Sequence, residues 1–159
     1  MALNGTAAGG GFSLALSGDY VIASEKAKFV SAYTASGLTP DGSSTYYLAK
    51  HIGLLRAKEL MLTNRVLTAQ EALDWGLVNK VVAPAEVLPE AQSIARHIAA
   101  GPTAAYGGVK RLLDTAFSDG LETQLDRETR SIADAMRTSD GPAGIASFLA
   151  KQTPTFTGK

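Results

Sequence analysis

The sequence contains no cysteine. That absence excludes disulfides, thiolate nucleophiles and thiolate metal sites, although it assigns no compartment. Histidine is nearly as scarce: His51 and His97 are the only two, and their separation argues against a histidine-rich metal site. Fifteen basic and fifteen acidic residues leave no formal net charge, and no run of like charge stands out. Nucleic acid is therefore not an expected partner, because that contact is built on concentrated positive charge. No apolar run reaches the roughly 18–20 residues of a membrane span, and no basic stretch followed by an apolar one opens the chain. A soluble, cytoplasmic protein is the expectation. The composition that remains, 45% hydrophobic and 19% charged residues over 159 positions, suffices for one sizeable core.

Roughly the first 45 residues are rich in glycine, serine and β-formers, and most of the remaining chain reads as helix. Gly9, Gly10 and Gly11 directly precede Phe12, Ala15 and Leu16, whose i, i+3, i+4 spacing predicts a short helix from about Gly10 to Ser17. Tyr20–Ser24 and Lys28–Ala32 read as short strands joined by a Glu25-Lys26 turn. Gly37–Gly53 opens as a Pro-Asp-Gly turn and continues into a helix with Tyr46, Tyr47, Leu48 and Ile52 inward. A second helix is expected from Leu54 to about Thr63. Thr68 and Glu71 form a capping-box pattern, Gly76 suits the left-handed residue that ends that helix, and Leu77–Val82 reads as a strand. Further helices are expected near Pro84–Ala100, Pro102–Phe117, Leu121–Met136 and Pro142–Lys151, with prolines in their first turns. Leu121, Leu125, Ile132 and Met136 form an apolar stripe that calls for a partner surface, within the chain or on another subunit. The resulting organisation is a core over residues 1–82 and a helical region over 83–159. "MAL" runs into Asn4-Gly5 with almost no strand before it, and the expectation is a chain that is part of a longer protein.

Glycines at a helix mouth invite a chemical reading. A helix N-terminus offers unpaired N–H groups and the positive end of the dipole, and bare backbone lets a negatively charged oxygen come close. Three readings fit Gly9-Gly10-Gly11. A phosphate site is weakly supported, because the spacing is not GxGxxG and no Gly-Lys-Ser/Thr comes after it. An oxyanion hole, stabilising the enolate of a thioester, is the second. Close helix-to-strand packing that merely excludes a Cβ is the third. Asp41, in Pro40-Asp41-Gly42, is equally open: it suits a helix N-cap bonding the N–H of Ser43 or Ser44, and it suits an acid/base. Ser13 and Ser17 have no histidine nearby in sequence, so a serine hydrolase is unsupported. Tyr33 suits a pocket wall or a core position. Asp19 reads as a turn or cap, Glu25-Lys26 as a solvated turn, His51 as a structural residue near a helix end, and Trp75 as packing beneath a helix terminus.

The stretch "NGTAAGGGFSLALSGDYVIASEKAKF" resembles the segment Asn-Gly-x-Ala-x-Gly-Gly-Gly-x-x-Leu-Ala-x-x-x-Asp-x-x-x-Ala of the enoyl-CoA hydratase/isomerase, or crotonase, family. "GLTPDGSSTYYLAKHIG", "AKELMLTNRVLTAQEALDWGLVNKVV" and "ASFLAKQTPTFTG" resemble later segments of that family, in the same order. The resemblance implies an α/β spiral of ββα turns, incomplete at the N-terminus, with a C-terminal helical region after it. It also implies about 90–100 preceding residues, consistent with an incomplete domain. Gly10 matches the position whose N–H forms one side of the thioester oxyanion hole, with Gly9 beside it. Phe148 and Lys151 match positions that approach the adenine and phosphates of CoA. Family hydratases use two glutamates, and the matching positions here are Ser13 and Tyr33, which disfavours hydration. Asp41 matches the acid/base of isomerases of the phenylacetyl-CoA catabolic type. The resemblance therefore implies an acyl-CoA isomerase acting on an acyl-CoA thioester. It implies no cofactor beyond the CoA of the substrate, and a homotrimer or hexamer. Hydration or another family reaction, and a non-catalytic acyl-CoA-binding or assembly fragment, are the alternatives.

Overall fold

Strands of two residues are too short to leave a period-two pattern in sequence, and three of the six strands here are of that length. In the computed structural model, which describes residues 1–159, β1 (Ala2–Leu3) and β2 (Ala7–Ala8) flank a bend at Gly5. Helix α1 (Gly10–Leu16), β3 (Ile22–Ser24) and β4 (Lys28–Val30) come next. β1 lies parallel to β3, with Ala2 opposite Ile22, and β2 lies parallel to β4, with Ala7 opposite Phe29. Each strand thus stacks on its counterpart in the next turn, which is the expected spiral of ββα turns.

The two strands and the Glu25-Lys26 turn between them are found as read from sequence, and the turn does not close a hairpin. β3 and β4 belong to different sheets, ordered β1-β3-β6 and β2-β4-β5. Here β5 is Leu67–Thr68 and β6 is Lys80–Val82. The turn is a corner, held by the Ala27 N–H on the Ser24 carbonyl and the Lys26 N–H on Ser24 Oγ. All three β3 residues are buried, so this strand needs a neighbour on each side, and β4 is carried round to the second sheet.

Helix α2 (Ser44–Thr63) is broken at Gly53, whose backbone is non-helical, at the division read from sequence. Between β5 and β6 lies α3 (Ala69–Asp74), and α4 spans Val87–Ala99. The core gathers Phe12 from α1, Phe29 from β4, Leu48 and Leu60 from α2, Leu67 from β5 and Ala72 from α3. The rings of Phe12 and Phe29 meet in a tilted arrangement with centroids 5.6 Å apart, the geometry favoured by aromatic quadrupoles. Trp75 packs against this core at the end of α3 with the guanidinium groups of Arg56 and Arg65 over its ring.

The capping box is present in full. Thr68 Oγ1 accepts the Glu71 N–H, and the Glu71 carboxylate accepts the Thr68 N–H at 2.9 Å. Together with the Arg65 guanidinium and the Thr68 hydroxyl, that N–H lowers the Glu71 carboxyl from 4.5 to about 2. A carboxyl lowered in the folded state adds stability that is full above its ordinary value and is lost as pH falls toward the folded one. Acid unfolding followed by circular dichroism should therefore show a component between about pH 4.5 and about pH 2 that Glu71→Gln flattens. Identical acid limbs in the two proteins would refute this.

The chain divides into two compact units, Met1–Ser93 and Ile94–Lys159, with the division inside α4. The second unit carries α5 (Thr103–Thr115), α6 (Leu121–Ala135) and α7 (Asp140–Leu149). Helix α7 starts two residues ahead of Pro142, because Asp140 is drawn inward. Its buried carboxylate accepts the N–H groups of Thr157 and Gly158, both at 2.7 Å, and the Thr157 hydroxyl at 3.0 Å. The Thr157 N–H, ahead of the other two donors, holds that carboxyl below the usual range. The stripe of Leu121, Leu125, Ile132 and Met136 is exposed in this chain. No helix is long and apolar enough to cross a membrane.

Candidate functional site

The site is assembled from four stretches of the first unit. At the mouth of α1, Gly9 has φ 50° and ψ −122°, a conformation that strains any residue with a Cβ. This shape lets its N–H bond the Val30 carbonyl at 3.1 Å while its carbonyl receives the N–H groups of Phe12 and Ser13. The mouth is thereby fixed to the end of β4. Gly10 is the first helical residue, so its N–H has no partner within the helix, and no other acceptor in the chain takes it. Gly10 is exposed.

Beyond β4 the chain turns through Ala32, at φ 63°, and presents Tyr33 to this mouth. The Tyr33 hydroxyl lies 3.8 Å from where a Cβ of Gly10 would stand, and its ring carbon Cζ lies 3.8 Å from that of Gly9. The hydroxyl donates to Asp41 Oδ1 at 2.5 Å. Ser13, buried on α1, has its Oγ 3.3 Å from the Tyr33 hydroxyl and 3.0 Å from the Asp41 carbonyl, to which it donates. The same carbonyl receives the Ser44 N–H at 3.2 Å and the Ser44 hydroxyl at 3.1 Å.

The reading of Asp41 as a helix N-cap is corrected by this arrangement. The N-cap of α2 is Ser43, with φ 67° and no side-chain cap bond. Two successive left-handed residues, Gly42 and Ser43, turn the Asp41 carboxylate away from the free N–H groups of α2 and toward Tyr33. Its backbone carbonyl remains at the helix start instead.

Gly9, Gly10, Tyr33 and Asp41 are thus brought together. Ser13 and Gly42 belong with them as supports, which local sequence did not reveal. Gly42 sits at φ 59°, and a Cβ there would stand 2.9 Å from the Cβ of Ser13. Gly42→Ala should accordingly cost about 1–2 kcal/mol from left-handed strain alone and push Ser13 off the Asp41 carbonyl. A double-mutant cycle with Ser13→Gly, read by urea unfolding, should give a coupling energy of about 0.5 kcal/mol or more. Additive effects would rule the contact out.

Phe148 and Lys151 lie in the second unit. Phe148 is 80% exposed, and Lys151 comes after α7 in a left-handed conformation with its N–H on the Phe148 carbonyl. The remaining polar candidates are accounted for elsewhere. Ser17 donates to the Leu14 carbonyl at 2.8 Å, His51 stacks on Tyr47, and His97 is exposed on α4. The cluster therefore offers the Asp41 carboxylate, the Tyr33 phenol, the hydroxyls of Ser13 and Ser44, and the free backbone N–H of Gly10. A carboxylate beside a bare N–H can take a proton from carbon next to a thioester carbonyl while the N–H receives the charge that develops on oxygen.

Residues 1–159 match the family described as enoyl-CoA hydratase/isomerase. The chain is 43% identical over 158 residues to the 1,2-epoxyphenylacetyl-CoA isomerase of Escherichia coli (strain K12), covering 99% of this chain and 60% of that protein. It is 35% identical over 151 residues to 4-chlorobenzoyl coenzyme A dehalogenase-1 of Arthrobacter sp, covering 95% of this chain and 55% of the dehalogenase. Among solved structures, an enoyl-CoA hydratase from Polaromonas sp. JS666 superposes with a TM-score of 0.91 at 39% identity, over 96% of this chain and 60% of that one. The chain spans between 55% and 60% of the length of these two curated relatives. A match that runs the whole length of the chain, on a fold shared with a solved enoyl-CoA hydratase, assigns it: the chain belongs to the enoyl-CoA hydratase/isomerase, or crotonase, family.

Proposed function

We propose that this chain carries the proton-transferring part of an acyl-CoA isomerase, which moves a carbon–carbon double bond through a thioester enolate. The observation that supports this reading is the single carboxylate, Asp41, joined through the Tyr33 hydroxyl to the glycine mouth of α1, where the Gly10 N–H is unpartnered, with the Ser13 hydroxyl on the Asp41 carbonyl. In a 3-enoyl thioester, Asp41 takes a proton from C2. The electron pair moves into the carbonyl, and the enolate oxygen accepts the Gly10 N–H, a donor worth about 3–4 kcal/mol of barrier. Asp41 then returns the proton to C4 as the double bond settles between C2 and C3. No net proton is consumed and no cofactor takes part beyond the CoA of the substrate. Hydration by two carboxylates is disfavoured, since neither Ser13 nor Tyr33 is one.

Three further parts of the proposal rest on family resemblance. Phe148 and Lys151 contact the adenine and phosphates of CoA, the protein works as a homotrimer or hexamer, and it does so in the cytoplasm. The 35% identity to a dehalogenase favours a second reading. There the Asp41 carboxylate attacks an aryl carbon, a halide leaves, and water hydrolyses the aryl ester to restore the carboxylate.

The test is to mix the chain with a 3-enoyl-CoA and follow the absorbance of the conjugated thioester, with a 4-halobenzoyl-CoA and a 2-enoyl-CoA in parallel. Growth of that absorbance with the first substrate alone is the expected result. Halide release without migration would transfer the assignment to the second reading, and a 3-hydroxyacyl product would mean a hydratase. Binding of the thioester with no turnover would leave an acyl-CoA-binding chain.

A further inference from the structure

We infer that Tyr33 and Ser13 are positioning residues that clamp Asp41 from two sides, so that Oδ2 alone is the proton-carrying oxygen; this rests on the isomerase reading. The carboxylate is asymmetric in its surroundings. Oδ1 accepts the Tyr33 hydroxyl at 2.5 Å, and no donor in the chain reaches Oδ2. The main chain of Asp41 is held separately, by Ser13 Oγ from α1 and by the Ser44 N–H and hydroxyl from α2, all on its carbonyl.

The need for a clamp arises from where Asp41 sits. It is exposed, in a loop that contains left-handed Gly37, Gly42 and Ser43. A carboxylate there has rotamer freedom to lose, yet one group that serves two carbons of the substrate must be held over both. The proton inventory is consistent. Tyr33 spends its only proton on Oδ1, and Ser13 spends its only proton on the Asp41 carbonyl, its nearest acceptor at 3.0 Å against 3.3 Å to the Gly9 carbonyl. Ser13 can do this because it is 2% exposed, seated under the loop where Gly42 leaves no Cβ.

Since misplacement of a reacting group by about 1 Å can cost about 10²-fold in rate, Tyr33→Phe should lower kcat by about 10–100-fold with KM within about twofold. Ser13→Ala should act in the same direction, by about 3–10-fold. An isotope-edited infrared spectrum of protein with labelled aspartate adds a readout free of turnover: the carboxylate band that Asp41→Asn removes should shift in Tyr33→Phe. The kcat loss together with that shift supports the clamp. Wild-type kcat and an unmoved band in Tyr33→Phe, while Asp41→Asn is inactive, would overturn the clamp and spare the isomerase reading. Full turnover by Asp41→Asn would remove that reading and the clamp with it.

Discussion

Asp41→Asn is expected to lower isomerisation of a 3-enoyl-CoA by about 10²–10⁴-fold, the range ascribed to a positioned acid/base. The substitution is nearly isosteric, which makes the loss interpretable. An amide oxygen in the place of Oδ1 still accepts the Tyr33 hydroxyl, and the backbone carbonyl of residue 41 keeps its bonds from Ser13 and Ser44. The property that disappears is the ability to take up a proton and give it back. Because the side chain is exposed, the change in folding stability should stay within about 0.5 kcal/mol. Progress curves of the conjugated-thioester absorbance and a urea-unfolding midpoint, measured on the same preparations, separate the two effects. A rate within tenfold of wild type would take Asp41 out of the mechanism.

The largest effect on stability is expected from Phe29→Ala, at about 3–5 kcal/mol. Phe29 is 1% exposed, lies at the centre of its sheet opposite Ala7 on one side and Leu67 on the other, and meets the ring of Phe12. Small neighbours such as Ala7 cannot collapse into the space left behind, so the cavity persists and adds to the lost transfer free energy. Against a typical stability of about 5–15 kcal/mol, the loss is large. With a urea dependence of about 1–3 kcal/mol per molar, the midpoint should fall by a molar or more. Phe148→Ala is the contrast: at 80% exposure it should shift stability by no more than about 0.5 kcal/mol. Equal effects of the two substitutions would contradict the burial described.

Chemistry confined to a few neighbouring residues was legible in the sequence. The Thr68–Glu71 box, the break at Gly53 and the left-handed Gly76 are each set by three or four residues, and each is found. β1, β2 and β5 were not legible, because two residues carry no periodicity and their pairing is decided by partners elsewhere in the chain. The turn at Glu25-Lys26 was legible but its role as a corner between sheets was not: a turn between two β segments looks the same whether they pair with each other or with other strands. The site was legible only through resemblance. Nothing local to Asp41 distinguishes a cap from an acid/base, and the contacts that hold its carboxylate away from capping α2 and fix its carbonyl come from Tyr33 and Ser13, 8 and 28 residues away.

The register of the spiral also bears on the order in which the molecule assembles. Ala2 pairs with Ile22, twenty residues on, whereas Ile22 pairs with Lys80 at a separation nearly three times as great. Loop-closure entropy rises by about 0.6 kcal/mol per doubling of length, so bringing β6 home costs about 1 kcal/mol more than stacking one turn on the next. Short-range stacking between adjacent turns is the signature of a quasi-one-dimensional array, in which order propagates from neighbour to neighbour. The third strand of the first sheet is then expected to act as a late clasp, closing over turns that stack before it.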